Sequence, residues 1–190
     1  MTVPTVPAAP TRREQILATA AELFATRGFH GVSVADLGTA CGVSGPAIYK
    51  HFPSKDAVLA EMLVDISERL LAVGRERVAA APDPRSAVRA LVDWHVDFAL
   101  RHQALIVVQD RDWSSLPDDA RERVRSLQRA YVDLWADQLR RADRGLARDA
   151  ARAQAHAAFG LINSTPHSAL LPPDQMRDVL HRMASSALTA

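Results

Sequence analysis

The chain has 190 residues, enough to bury one sizeable core or to join a small domain to a medium one. Hydrophobic residues make up 48% of it, which excludes a disordered chain, and 23 Lys and Arg against 22 Asp and Glu leave a net charge of +1. No bulk basicity therefore announces a nucleic-acid partner, and the single cysteine, Cys41, excludes an intrachain disulfide and reads as a packing thiol.

Alanine, leucine and arginine dominate and favour helix, and no alternating apolar run of strand character occurs, so the fold class is all-α with about nine helices. The first ten residues lack the basic start and unbroken apolar run of a signal peptide and read as a flexible tail. No segment is long and apolar enough to span a bilayer, which leaves no membrane partner and a cytoplasmic location as the expectation.

Thr11 to Glu14 has the spacing of a capping box and opens a helix that Arg27 and Gly28 close. Ser33 to Asp36 repeats the pattern and starts a second, short helix. Gly42 supplies the backbone freedom for a sharp turn. Ser44 caps a third helix with Pro46 in its first turn; Ile48 and Phe52 anchor it, Pro53 stops it, and Ser54 caps a fourth. The remaining periodicity predicts helices over about 55–80, 85–101, 103–112, 118–144, 148–165 and 174–188, with prolines at 82, 84, 166, 172 and 173 as punctuation.

The stretch Ser33 to Lys55, SVADLGTACGVSGPAIYKHFPSK, reads as a helix-turn-helix for duplex DNA. The small residues Gly45, Pro46 and Ala47 let a backbone approach base edges, and Pro46 or Ala47 suits a thymine methyl. Ser33 and Ser44 stand at helix starts, where hydroxyls meet phosphate oxygens. Tyr49, His51 and Lys55 reach phosphates, and Lys50 reaches a phosphate or a guanine. The only two lysines of the chain, Lys50 and Lys55, both fall here.

From Thr11 to about Leu63 these residues closely resemble the TetR family of transcriptional regulators, as do the length and the helical remainder. The resemblance implies a three-helix DNA-binding domain over 11–54, a ligand-binding and dimerisation domain over 55–190, and a homodimer on double-stranded operator DNA. It implies a repressor released by a small-molecule effector: an acyl-CoA, whose phosphates Arg101, Arg111 or Arg148 would meet, or another hydrophobic metabolite. Gly45 and Ala47 stand where the family often carries larger polar side chains, so DNA shape carries part of the specificity.

Aromatic and polar residues of the middle helices are the candidates for the ligand cavity: Trp94, His95, Phe98, Gln109, Trp113, Tyr131, Trp135 and Asn163, with Asp93, Asp97 and Asp110 as further polar groups. Ala153 to Pro173 contains no Asp, Glu, Lys or Arg and marks buried surface, either core or a dimer face; the resemblance favours a dimer face through Phe159, Leu161 and Ile162. The seven histidines are scattered, so neither a metal nor a cofactor is expected, and no catalytic constellation is evident. The rival readings are a ligand-independent DNA-binding protein and a helical-bundle enzyme.

Overall fold

The computed structural model describes residues 10–168 and 170–189, so most of the tail expected over residues 1–10 lies outside the described residues. Among the described residues ten α-helices follow one another: α1 (Arg12–Arg27), α2 (Val34–Ala40), α3 (Gly45–Ile48), α4 (Lys55–Ala80), α5 (Pro84–Arg101), α6 (Gln103–Asp112), α7 (Asp118–Ala142), α8 (Arg148–Ile162), α9 (Thr165–Ser168) and α10 (Pro173–Thr189). A 3₁₀ turn, Trp113–Ser115, joins α6 to α7, and no strand occurs among the described residues. The nine expected helices are all present, and α9 is an addition. It is one turn long, with Pro166 at its second position, where a missing N–H leaves no bond unmade.

Both capping boxes form. Thr11 accepts from the Glu14 N–H while the Glu14 carboxylate accepts from the Thr11 N–H, and Ser33 and Asp36 do the same. These bonds hold the Glu14 and Asp36 carboxyls below their usual pKa. The third helix is shorter than its sequence suggests. After Ile48 the chain continues with bonds three residues back, from the Lys50 N–H to Ala47 and from the His51 N–H to Ile48, and Pro53 then blocks any further turn.

Two apolar cores share the molecule. The head core joins Ile16, Phe24, Phe29, Leu37, Ile48 and Phe52 to Val58, Leu59 and Leu63 of α4, and it also takes in Val108 of α6, Leu116 just ahead of α7, and Val124 of α7. The body core lies where α4 and α5 pack on α7, α7 on α8, and α10 on α5 and α8. Helix α4 therefore runs through both, its first three turns in the head and the rest in the body.

Within α8, Ala151, Ala155, Ala158 and Ile162 recur at helical spacing and face the body core. Ile162 is 0% exposed in the single chain, which corrects its expected place on a dimer face: it has no surface left to offer a partner. Phe159 is likewise turned into an aromatic cluster inside the body, and Leu161 is half-buried against the same core. The outward face of α8 carries Ala153, Ala157 and Gly160 instead.

Candidate reading face and effector cavity

The helix-turn-helix depends on a close approach of two backbones. Helix α2 lies so near the start of α3 that a Cβ on Gly38 would stand 2.7 Å from the Gly45 nitrogen, and Gly42 makes the intervening turn with φ +67°. On this frame Ser44, Pro46, Tyr49 and Lys50 are exposed, while Gly45, Ala47 and His51 are half-covered. Tyr49 is 55% exposed although it is large and aromatic, a placement that burial alone does not explain. The Ser44 hydroxyl makes no capping bond and is free for another acceptor. Lys50 takes part in no ion pair among the described residues.

Two expected phosphate contacts are otherwise engaged. The Lys55 ammonium donates to the carbonyls of Phe29 and Val32, each at 2.7 Å, and lies 4.3 Å from the centre of the Phe29 ring. It closes the loop between α1 and α2 rather than facing outward. The Ser33 hydroxyl is committed to its capping box with Asp36. Arg13 contributes a second strut, pairing with Glu61, donating to the His51 carbonyl and covering the Phe52 ring at 4.3 Å.

In the body, α4, α5, α6, α7 and the end of α8 line a partly open cavity of about 230 Å³. Of the expected ligand residues, His95, Phe98, Gln109, Tyr131 and Asn163 line it, and Phe159 joins them from α8. Trp94, Trp113 and Trp135 do not. Trp94 donates to the Leu70 carbonyl at 3.2 Å, Trp113 packs against the head core with Arg125 over its ring, and Trp135 is fully buried behind the cavity, edge-on to Phe159 at 5.0 Å. Asp93 and Asp97 are held by His181 and Arg177 of α10, which removes them from the set of ligand contacts.

His95 is the polar centre of the cavity. Its ring stacks on Phe159 at 4.7 Å and on Tyr131 at 5.7 Å, and its Nε2 meets the Asn163 Oδ1 at 3.2 Å. Burial pushes its pKa down to about 4, so it is neutral at pH 7. The same burial raises the Tyr131 phenol and keeps it protonated.

The cavity and the head are joined by α6. Leu105, Ile106 and Gln109 form part of the cavity wall, and the end of the same helix clasps α1. Arg111 donates to the carbonyls of Phe24 and Ala25 at the end of α1 and pairs with Asp112, whose buried carboxylate accepts the Phe29 N–H at 3.3 Å. Arg111 is therefore engaged with the head and not with a ligand phosphate. Nothing in the sequence marks this clasp, because its acceptors are main-chain carbonyls some 86 positions away. Gly38 was equally hidden, since the spacing of two helices is not written in the local pattern.

No group of three or more His, Cys, Asp or Glu side chains among the described residues is placed to hold a metal ion, and no helix among them is long and apolar enough to cross a membrane. Residues 16–62 match the family model of bacterial regulatory proteins, tetR family, and residues 81–167 match that of the tetracyclin repressor-like C-terminal domain. The chain is 31% identical over 160 residues to the transcriptional activator FasR of Mycolicibacterium smegmatis, covering 83% of this chain and 70% of that one. It is 30% identical over 125 residues to the transcriptional repressor KstR2 of Rhodococcus jostii, covering 65% of this chain and 61% of that one. Among solved structures, a TetR-family transcriptional regulator from Bordetella parapertussis superimposes with a TM-score of 0.84 at 25% identity, covering 95% of each chain.

Proposed function

Because the chain belongs to the tetR family of bacterial regulatory proteins, it is a DNA-binding transcriptional regulator, and we propose that it is a homodimeric repressor released from its operator by a small molecule held in the His95 cavity. One observation carries the ligand-responsive part: a single helix, α6, supplies both a wall of the cavity and the Arg111–Asp112 clasp on α1. A ligand that displaces α6 must also disturb the seat of the head. The head in turn shares its core with the first turns of α4.

The mechanism is a shift of population. The dimer samples a spacing of its two heads that fits successive major grooves, about 34–36 Å apart, and others that do not. A ligand lowers operator occupancy by as much as it prefers the second set. Ser44, Gly45, Pro46, Ala47, Tyr49, Lys50 and His51 are the DNA-facing set. Lys55 serves by holding the loop that supports them.

The dimer face is the outer side of the α8 and α10 pair. Ala153, Ala157 and Gly160 leave α8 smooth enough for close approach, and Met183, 53% exposed, stands on α10. Nothing in the cavity chemistry asks for catalysis, and the reading is of a regulator acting on DNA in the cytoplasm.

The test uses fluorescence anisotropy on duplexes from the region upstream of the chain's own gene, with and without metabolite fractions. Wild-type protein is expected to bind one such duplex and to lose about 5–150-fold in affinity with the active fraction. Arg111→Ala should still bind the active compound but respond to it weakly on DNA. A variant that responds as the wild type does would refute the route through α6.

A further inference from the structure

The cavity carries a chemical specification that the family assignment does not contain. It is lined by apolar side chains and by Ser67, His95, Gln109, Gln128, His156 and Asn163, and no Asp, Glu, Lys or Arg among the described residues lines it. Two polar atoms of its lining residues are buried with no hydrogen-bond partner among the described residues: the His95 Nδ1 and the Tyr131 hydroxyl. The Ser67 hydroxyl, also in the wall, is already used, donating to the Leu63 carbonyl at 2.6 Å.

The roles of the two unpartnered atoms follow from their neighbours. The Asn163 Oδ1 is an acceptor, so the His95 Nε2 that faces it at 3.2 Å carries the ring proton. A neutral imidazole has only one such proton, which leaves Nδ1 as a lone-pair acceptor. Tyr131 is buried behind the same wall and keeps its proton, so its O–H is a donor. The indole N–H of Trp135 approaches this hydroxyl without reaching hydrogen-bond geometry, and it offers the phenol no acceptor. One donor and one acceptor are therefore left unmatched on residues that line the same chamber. An unmade hydrogen bond is costly in such a place.

Resting on the effector reading above, the geometry points to a compact, uncharged ligand carrying a hydroxyl, which accepts from Tyr131 and donates to the His95 Nδ1 while its hydrocarbon part fills the chamber. A carbonyl accepts from Tyr131 but leaves Nδ1 unsatisfied. A carboxylate brings a charge that no Lys or Arg in the wall balances; His95 is neutral at pH 7, and His156, the other imidazole of the wall, is exposed to solvent. Size follows from volume: 230 Å³ at roughly 30 Å³ for each water-sized group holds about eight heavy atoms.

Heptan-1-ol, heptan-2-one and heptanoate match that size and differ only in the polar end. Isothermal titration calorimetry at pH 7.5 on the full chain is expected to rank the alcohol first, the ketone about five- to tenfold weaker for one lost hydrogen bond, and heptanoate at least a hundredfold weaker. Tyr131→Phe keeps the ring and removes the donor. It should weaken heptan-1-ol about tenfold and raise the melting temperature of the ligand-free protein, because an unpaired buried hydroxyl is gone. Heptanoate binding as well as the alcohol, the ketone matching it, Tyr131→Phe leaving its affinity unchanged, or none of the three probes binding would each overturn the proposal. The effector reading fails separately: heptan-1-ol that binds in the calorimeter but leaves operator affinity untouched refutes release by this cavity and leaves the ligand class standing.

Discussion

Replacing Gly38 by alanine isolates the geometry on which DNA reading rests. The new Cβ would lie 2.7 Å from the Gly45 nitrogen and 2.9 Å from both the Gly45 Cα and the Ser44 carbonyl carbon. All three are backbone atoms, so no side chain can rotate aside. Relief requires α3 to move by about 0.7 Å before the shortest contact reaches ordinary separation. Overpacking of this kind costs about 1–3 kcal/mol, while exchanging a helical glycine for alanine returns about 1 kcal/mol. The net loss is about 1 kcal/mol, or ~2–4 °C in melting temperature for a chain of this size. Operator affinity should fall much further, at least about tenfold, because the displaced atoms belong to the reading segment itself. Thermal melts followed by circular dichroism and fluorescence anisotropy on the operator duplex separate the two effects. A Gly38→Ala protein that melts at or above the wild-type temperature and binds DNA equally well would refute the argument.

The two lysines should part company. Lys50→Ala is expected to lower the salt slope of operator binding by about 1, as loss of one phosphate contact does. Lys55→Met should instead lower stability by about 1.5–3 kcal/mol, since two carbonyls lose a charged donor, and an unchanged urea midpoint would contradict that. Ala157→Glu places a charge on the outer face of α8 and should yield monomers by sedimentation velocity with the helical content retained; an intact dimer would exclude that face. The His95 imidazole has a folded-state pKa of about 4, below its ordinary 6.5, so the unfolded chain takes up the proton first. Its contribution is complete above about pH 6.5 and is lost as pH falls toward 4, with about 2 kcal/mol gone by pH 5. Urea titrations should show wild type losing that much between pH 7.5 and 5 beyond what His95→Gln loses.

Most of the fold is legible in the sequence because helices advertise their own ends. Thr11, Ser33, Ser54 and the prolines act within a few residues of the boundary they set, and they place α1, α2, α4 and α5 to within a residue or two. Side-chain direction is less legible. Ala153 to Pro173 is uncharged for two reasons at once: one face of α8 is buried against α7 and α10, and the other is smooth and outward. Composition sees only their sum, so Ile162 and Phe159 pointed to a partner when they face inward. Within the cavity, His95, Phe98, Gln109, Tyr131 and Asn163 come together from α5, α6, α7 and the end of α8. The three tryptophans share their aromatic character but sit elsewhere, because membership depends on helix rotation and not on residue type. Lys55 shows the same gap at the reading head: its charge suggested phosphate, while two loop carbonyls lie closer.

The presence of Val108, Leu116 and Val124 among the buried side chains of the head has a practical corollary for anyone building hybrid sensors. Severing the chain at Ser54 and grafting the first portion onto a foreign body would strip away these three apolar plugs as well as Val58, Leu59 and Leu63 of α4, each worth roughly 1.5–3 kcal/mol when covered. A graft that also imports the first three turns of α4 and these three side chains, together with Arg111 and Asp112, keeps the transplanted reader seated. What looks like a detachable module along the chain is, in space, a joint held from both sides.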